Sequence, residues 1–221
     1  MDALTLGSPD ARRVVLFAAG AGGDPERHRP LLKYLAAGGA QVVAPYYERI
    51  VPAEATAAQL LARPNGLLSA LREHGAPELP VAVIGHSIGG WAALCIAGAV
   101  PRTRDGTPME VPREPRVSRL VLFAPAVAWF GAPGALDAVA VPTLVYAGEL
   151  DRLTPVEQIR SLTAAPAPVT VNVVPNAGHF SFMNTPPPGA AEDSAFDRNR
   201  FLVQLARETQ RFLDEPEPPT E

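Results

Sequence analysis

One cysteine, Cys95, leaves the chain unable to form an internal disulfide, and its setting in a helical run of small residues suits a buried hydrophobe. Lysine is almost absent too, with Lys33 alone, and the arginines are scattered without a dense run under a formal net charge of -4. That balance excludes the basic footprint of a nucleic-acid or anionic-membrane binder. No apolar stretch approaches the length of a membrane span, and Met1 to Asp10 holds neither a basic region nor a long apolar one. These absences predict a cytoplasmic protein with a small-molecule partner, and with neither nucleic acid nor membrane as partner. No internal repeat is visible.

At 221 residues the chain suits one α/β domain, expected over 1–213, followed by a disordered acidic and proline-rich tail over 214–221. Six short apolar runs read as strands: Val14 to Ala18, Gln41 to Ala44, Val81 to Ile84, Leu120 to Ala124, Thr143 to Ala147 and Val169 to Val174. Helical spacing lies between them at Pro30 to Ala37, Pro52 to Glu73, Trp91 to Ala97 and Pro155 to Ala164, with a last helix near Phe196 to Leu213. Pro64-Asn65-Gly66 predicts a break or kink in the second of these. Pro101 to Pro115 reads as an irregular, mobile surface excursion, and Pro125 to Pro142 is too short for a lid domain. The alternation predicts a mostly parallel six-stranded sheet with helices on both faces and no cap. Its ligand site should lie outside the carboxyl ends of the strands, where the winding reverses between the Ala19 to Gly23 loop and Ser87.

The strand Val81 to Ile84 runs into Gly85-His86-Ser87-Ile88-Gly89 and then into a helix. A G-x-S-x-G turn in that context lifts a serine hydroxyl on a strained backbone. Serine needs a general base within hydrogen-bond reach, held in the right tautomer by an acid. Four histidines are available. His28 and His74 read as solvated and His86 as pointing away from Ser87, whereas His179 follows the sixth strand at its carboxyl end. The acid should come from Gly148-Glu149-Leu150-Asp151 after the fifth strand, with Asp151 favoured over Glu149 for its reach. The order Ser87, Asp151, His179 is the one that accompanies a G-x-S-x-G elbow. Two backbone N–H groups, from Ile88 and from Ala21 in the glycine-rich loop, would bind an oxyanion. That loop is not a dinucleotide fingerprint, because the third glycine of G-x-G-x-x-G falls at Pro25 and no G-K-S/T follows. No cofactor and no metal are expected. Trp129, Phe130 and Phe180, with Phe182 nearby, are candidates to line a substrate pocket.

With these residues in view, the chain resembles the α/β-hydrolase superfamily from Arg12 to Leu213. GHSIGG resembles the nucleophile elbow, AAGAGG the oxyanion loop, GELDRLTP the acid loop and NAGHFSF the histidine loop. Ala19 stands where the oxyanion loop usually has histidine. The resemblance implies a start at the family's third strand and a minimal, lidless member, similar to dienelactone-hydrolase-like and chlorophyllase-like esterases but with Ser87 in place of a cysteine nucleophile. It implies hydrolysis of a carboxylic ester or thioester through an acyl-enzyme on Ser87. The alternatives are a non-catalytic binding protein on the same fold, or the same triad used for acyl transfer, peptide cleavage, carbon–carbon cleavage or cofactor-free peroxidation.

Overall fold

In a computed structural model describing residues 1–7, 10–103, 105–191 and 193–216, the six apolar runs become six parallel strands. They are β2 (Arg13–Ala18), β3 (Ala40–Pro45), β4 (Val81–His86), β5 (Val117–Phe123), β6 (Thr143–Gly148) and β7 (Val169–Val174). A seventh strand, β1 (Ala3–Leu6), precedes them and pairs antiparallel with β3, so the sheet order is β1-β3-β2-β4-β5-β6-β7. The strand ahead of β2 corrects both the count of six and the start implied by the resemblance. Its four residues alternate weakly in burial, as an edge strand does, and carry little signal on their own.

Side chains along each inner strand alternate between two cores. Val14, Leu16 and Ala18 join Leu60, Leu67 and Leu71 of α2 (Ala57–His74) and Trp91 of α3 (Ile88–Ile96) on one face. Val15 and Phe17 join Leu31 and Leu35 of α1 (Arg29–Ala37) and Leu202 and Leu205 of α5 (Arg198–Asp214) on the other. Cys95 lies in the first core, and burial pushes its thiol up. Where one helix was expected at 155–164, a single turn, α4 (Val156–Ile159), passes into a 3-10 turn at Arg160–Ala164.

Of the break or kink expected at Pro64, the break does not occur. Helix α2 runs through it from a capping box, in which Thr56 and Gln59 bond each other's backbone. Proline removes one intrahelical hydrogen bond, but the leucine face of α2 is buried on both sides of it, and that packing outweighs the local cost. The described part of the 101–115 excursion is irregular and largely exposed, as expected, and it is anchored at two points. Thr103 and Thr107 bond backbone to backbone at 2.9 Å, Met109 N–H reaches the Pro101 carbonyl at 2.8 Å, and the Met109 side chain is buried. At the carboxyl terminus, Asp214 ends α5, and Arg119 holds the Glu215 and Pro216 carbonyls at 2.8 Å each, so the tail does not begin at 214. Residues 217–221 lie outside the described residues.

Between β5 and β6 the chain makes one 3-10 turn, Ala128–Phe130, and no inserted cap. With β2 seated between β3 and β4, the loops after β2 and β4 open on one crevice at the carboxyl edge. No described helix is long and apolar enough to cross a membrane.

Candidate active site

Ser87 sits between β4 and α3 with φ 57° and ψ −124°, a conformation that costs on the order of 1–3 kcal/mol and needs its surroundings to hold it. They do so from three sides. Ser87 N–H donates to the Phe123 carbonyl at 3.0 Å, while its own carbonyl accepts from Gly90 at 2.9 Å and from Ala126 at 3.0 Å. The flanking glycines are required by contact. A Cβ on Gly85 would stand 2.5 Å from the Gly89 carbonyl oxygen, and one on Gly89 would stand 2.0 Å from that of Ala18.

The loops after β6 and β7 bring Asp151 and His179 to this serine. They are bonded to each other, Leu150 N–H to the Ala177 carbonyl at 2.9 Å and Asn176 N–H to the Glu149 carboxylate at 3.0 Å. His179 Nε2 lies 2.9 Å from Ser87 Oγ, and its Nδ1 lies 2.8 Å from Asp151 Oδ2. A carboxylate only accepts, so Nδ1 carries the ring proton and Nε2 turns its lone pair to the serine. Glu149 is exposed and spends its carboxylate on Asn176, so Asp151 is the carboxylate bonded to His179.

The Asp151 side chain is wholly buried. Burial alone would raise its carboxyl. The hydrogen bond and charge of His179, with Thr154 donating from backbone and hydroxyl, outweigh that and hold it below the usual carboxylate range. Oδ1 accepts from the Leu153 and Thr154 amides at 2.8 and 2.9 Å, and Thr154 Oγ1 lies 2.7 Å from Oδ2. Sequence reasoning missed Thr154, although its place three residues after Asp151 is where a short hydroxyl side chain can close such a turn.

Two histidines lie beneath the site. The His86 ring lies 5.1 Å from that of His179, and its Nε2 donates to the His179 carbonyl at 3.0 Å. His28 is not solvated but fully buried, between the rings of Phe17 at 4.7 Å and His86 at 5.3 Å. Burial lowers the pKa of His28 to about 3 and, with the neighbouring His179 and His28, carries His86 well below its ordinary value. Both are neutral packing groups beneath the site. His74 reaches the Met1 carbonyl at 3.2 Å and is distant in sequence and place from these.

The loop after β2 lies against the serine, a Cβ on Gly20 standing 3.4 Å from Ser87 Cβ. Among the described residues the amides of Ala21 and Ile88 have no acceptor. A residue that sequence reasoning passed over, Arg63 of α2, binds this loop's carbonyls. Its signal was an arginine on the leucine stripe of α2, between Leu60 and Leu67 at helical spacing. Of the pocket candidates, Phe130 is 3 % exposed and belongs to the core, as does Phe182, stacked on Phe123. Trp129, edge-on to Trp91, and Phe180, edge-on to His179, are half-buried and remain available to a ligand. No group of three or more His, Cys, Asp or Glu among the described residues is placed to hold a metal ion.

No family model matches the sequence, and no curated protein matches it either. Solved structures do. An esterase of the planctomycete Thermogutta terrifontis, described with propionate bound, is 19 % identical, with a TM-score of 0.66 over 99 % of this chain and 91 % of that one. An Agrobacterium tumefaciens protein proposed to be an α/β hydrolase is 15 % identical, with a TM-score of 0.67 over 98 % and 94 %. A metagenome-derived structure described under the lipolytic enzymes LipS and LipT is 15 % identical, with a TM-score of 0.65 over 96 % and 97 %. Identity this low speaks to architecture alone. The chain has the α/β-hydrolase fold.

Proposed function

We propose that this protein is a serine hydrolase that cleaves a carboxylic ester or thioester through an acyl-enzyme on Ser87. One observation carries the reading: Ser87, His179 and Asp151 form an unbroken hydrogen-bonded line at the carboxyl edge of the sheet. Ser87 Oγ attacks the carbonyl carbon as His179 Nε2 takes its proton, and Asp151 stabilises the imidazolium while remaining ionised. The tetrahedral oxygen lies between the Ala21 and Ile88 amides, which serve as the oxyanion hole. The imidazolium then gives its proton to the departing alkoxide or thiolate. Water, deprotonated by the same nitrogen, attacks the acyl carbon, and Ser87 leaves with the proton returned. Trp129 and Phe180 line the substrate, with Leu150 and Leu153 exposed beside the acid. The propionate described with the Thermogutta esterase fits a short acyl group of this kind.

Hydrolysis of p-nitrophenyl acetate tests the reading. Wild-type protein is expected to turn it over. Ser87→Ala should lose roughly four to six orders of magnitude in kcat. An unchanged rate in Ser87→Ala removes Ser87 from the reaction.

A further inference from the structure

Arg63 is 1 % exposed, and no described carboxylate pairs with it. Burial lowers its pKa to about 10, so it remains a cation at neutral pH. The guanidinium is spent on three consecutive carbonyls of the loop after β2: Nη1 lies 3.0 Å from the oxygens of Ala19 and Gly20, and Nη2 lies 3.3 Å from that of Ala21. Tyr47 fixes the arginine from the other side, its ring 5.1 Å from the guanidinium and its hydroxyl donating to the Arg63 carbonyl at 2.9 Å. A buried charge without a counter-ion is costly, and an apolar side chain of similar size would pack there without that cost.

The loop's own hold on its shape is one turn bond, Gly23 N–H to the Gly20 carbonyl at 3.0 Å, and Ile50 N–H reaches the Ala21 carbonyl at 3.0 Å. Ala19, Gly20, Ala21, Gly22 and Gly23 offer no polar side chain. A trans peptide carries its C=O and the following N–H in opposite directions. Arg63 holds the Gly20 carbonyl together with Gly23 N–H and is the side chain that draws it toward α2, which turns the Ala21 N–H away from α2, on the loop that abuts Ser87. We propose that Arg63 is the positioning residue of the oxyanion site: it locks the Gly20–Ala21 peptide with its N–H facing the carbonyl oxygen of a substrate on Ser87. Its charge also polarises these peptides in the sense that favours a developing anion. This inference rests on the hydrolase reading above, but the orientation of the peptide can be observed without any turnover.

Arg63→Met removes the donors and the charge at similar length. It should lower kcat on p-nitrophenyl acetate by about 100- to 1000-fold, the effect of losing an oxyanion donor, with KM changed by less than about threefold. The inhibition constant of a boronic acid that adds to Ser87 should weaken by about the same factor. A fraction of misfolded protein lowers kcat but leaves that constant unchanged, so an unchanged constant overturns the proposal. Arg63→Lys, which keeps the charge but cannot span three carbonyls, is measured in the same way should Arg63→Met not fold, and should fall between wild type and Met. A crystal structure of the variant supplies the independent arm. The Gly20 carbonyl should leave its wild-type direction, and a peptide that stays in place overturns the proposal whatever the activity. If wild-type protein takes neither ester nor boronic acid, the hydrolase reading fails, and the crystal structure still decides the role of Arg63.

Discussion

Asp151 Oδ2 lies 2.8 Å from His179 Nδ1, inside a cage where the same carboxylate also accepts from Leu153 and Thr154. The cage keeps the carboxylate ionised and fixes which ring nitrogen of His179 carries the proton. Asp151→Asn would present an amide to Nδ1 and favour the other tautomer, with its proton toward Ser87. Its kcat should fall on the order of ten-thousandfold, whereas Glu149→Gln should change kcat by less than about threefold. Steady-state rates on one ester decide it, and the reverse ranking would make Glu149 the acid.

His28 makes acid stability a test of the packing beneath the site. Its imidazole binds a proton below about 6.5 in the unfolded chain but only near 3 in the folded one, because burial disfavours the charged ring. Protons therefore favour the unfolded state between those values. The stability is full above pH 6.5 and is lost as pH falls toward 3, at about 1.4 kcal/mol per pH unit from this residue. His86 acts in the same direction. Urea unfolding at pH 7.0, 6.0 and about 4.5 should show that slope before most carboxylates titrate, and His28→Gln should flatten it. An identical slope in the variant would mean that His28 is not buried as described.

Substrate size follows from the open carboxyl edge. The 124–142 connection makes only one 3-10 turn, too little to roof a site. Rates should fall from p-nitrophenyl acetate and butyrate to octanoate and palmitate, since a long chain would remain in water. Emulsified triolein should give no jump in activity above its solubility limit. Maximal activity on palmitate or triolein would show that a segment closes over the site.

What could be read from sequence was what neighbours in sequence determine. Gly85, Ser87 and Gly89 carry their geometry within five residues, and the strands from β2 to β7 carry theirs as apolar runs. Asp151 and His179 were legible because each follows a strand whose end faces the crevice. What escaped depends on residues far apart in the chain. β1 exists only by pairing with β3, and α2 passes Pro64 because its face is buried in the core. Phe130 is a core residue because the 124–142 connection packs over α3, a contact that no local pattern encodes. His28 is buried by Phe17 and His86, and Arg63 is drawn to a loop 42 to 44 residues away. An arginine on a leucine stripe was a visible irregularity, but its partners are backbone carbonyls, which leave no mark in composition.

The central claim is that Ser87 is a nucleophile activated by His179, and intact-mass analysis after exposure to a fluorophosphonate probe tests it most directly. Wild-type protein should gain one adduct per chain, mapped to Ser87 by peptide sequencing. Ser87→Ala should gain none, and His179→Ala should react slower by at least about a hundredfold. A wild-type chain that stays unlabelled while folded, or a label that persists in Ser87→Ala, would contradict the account.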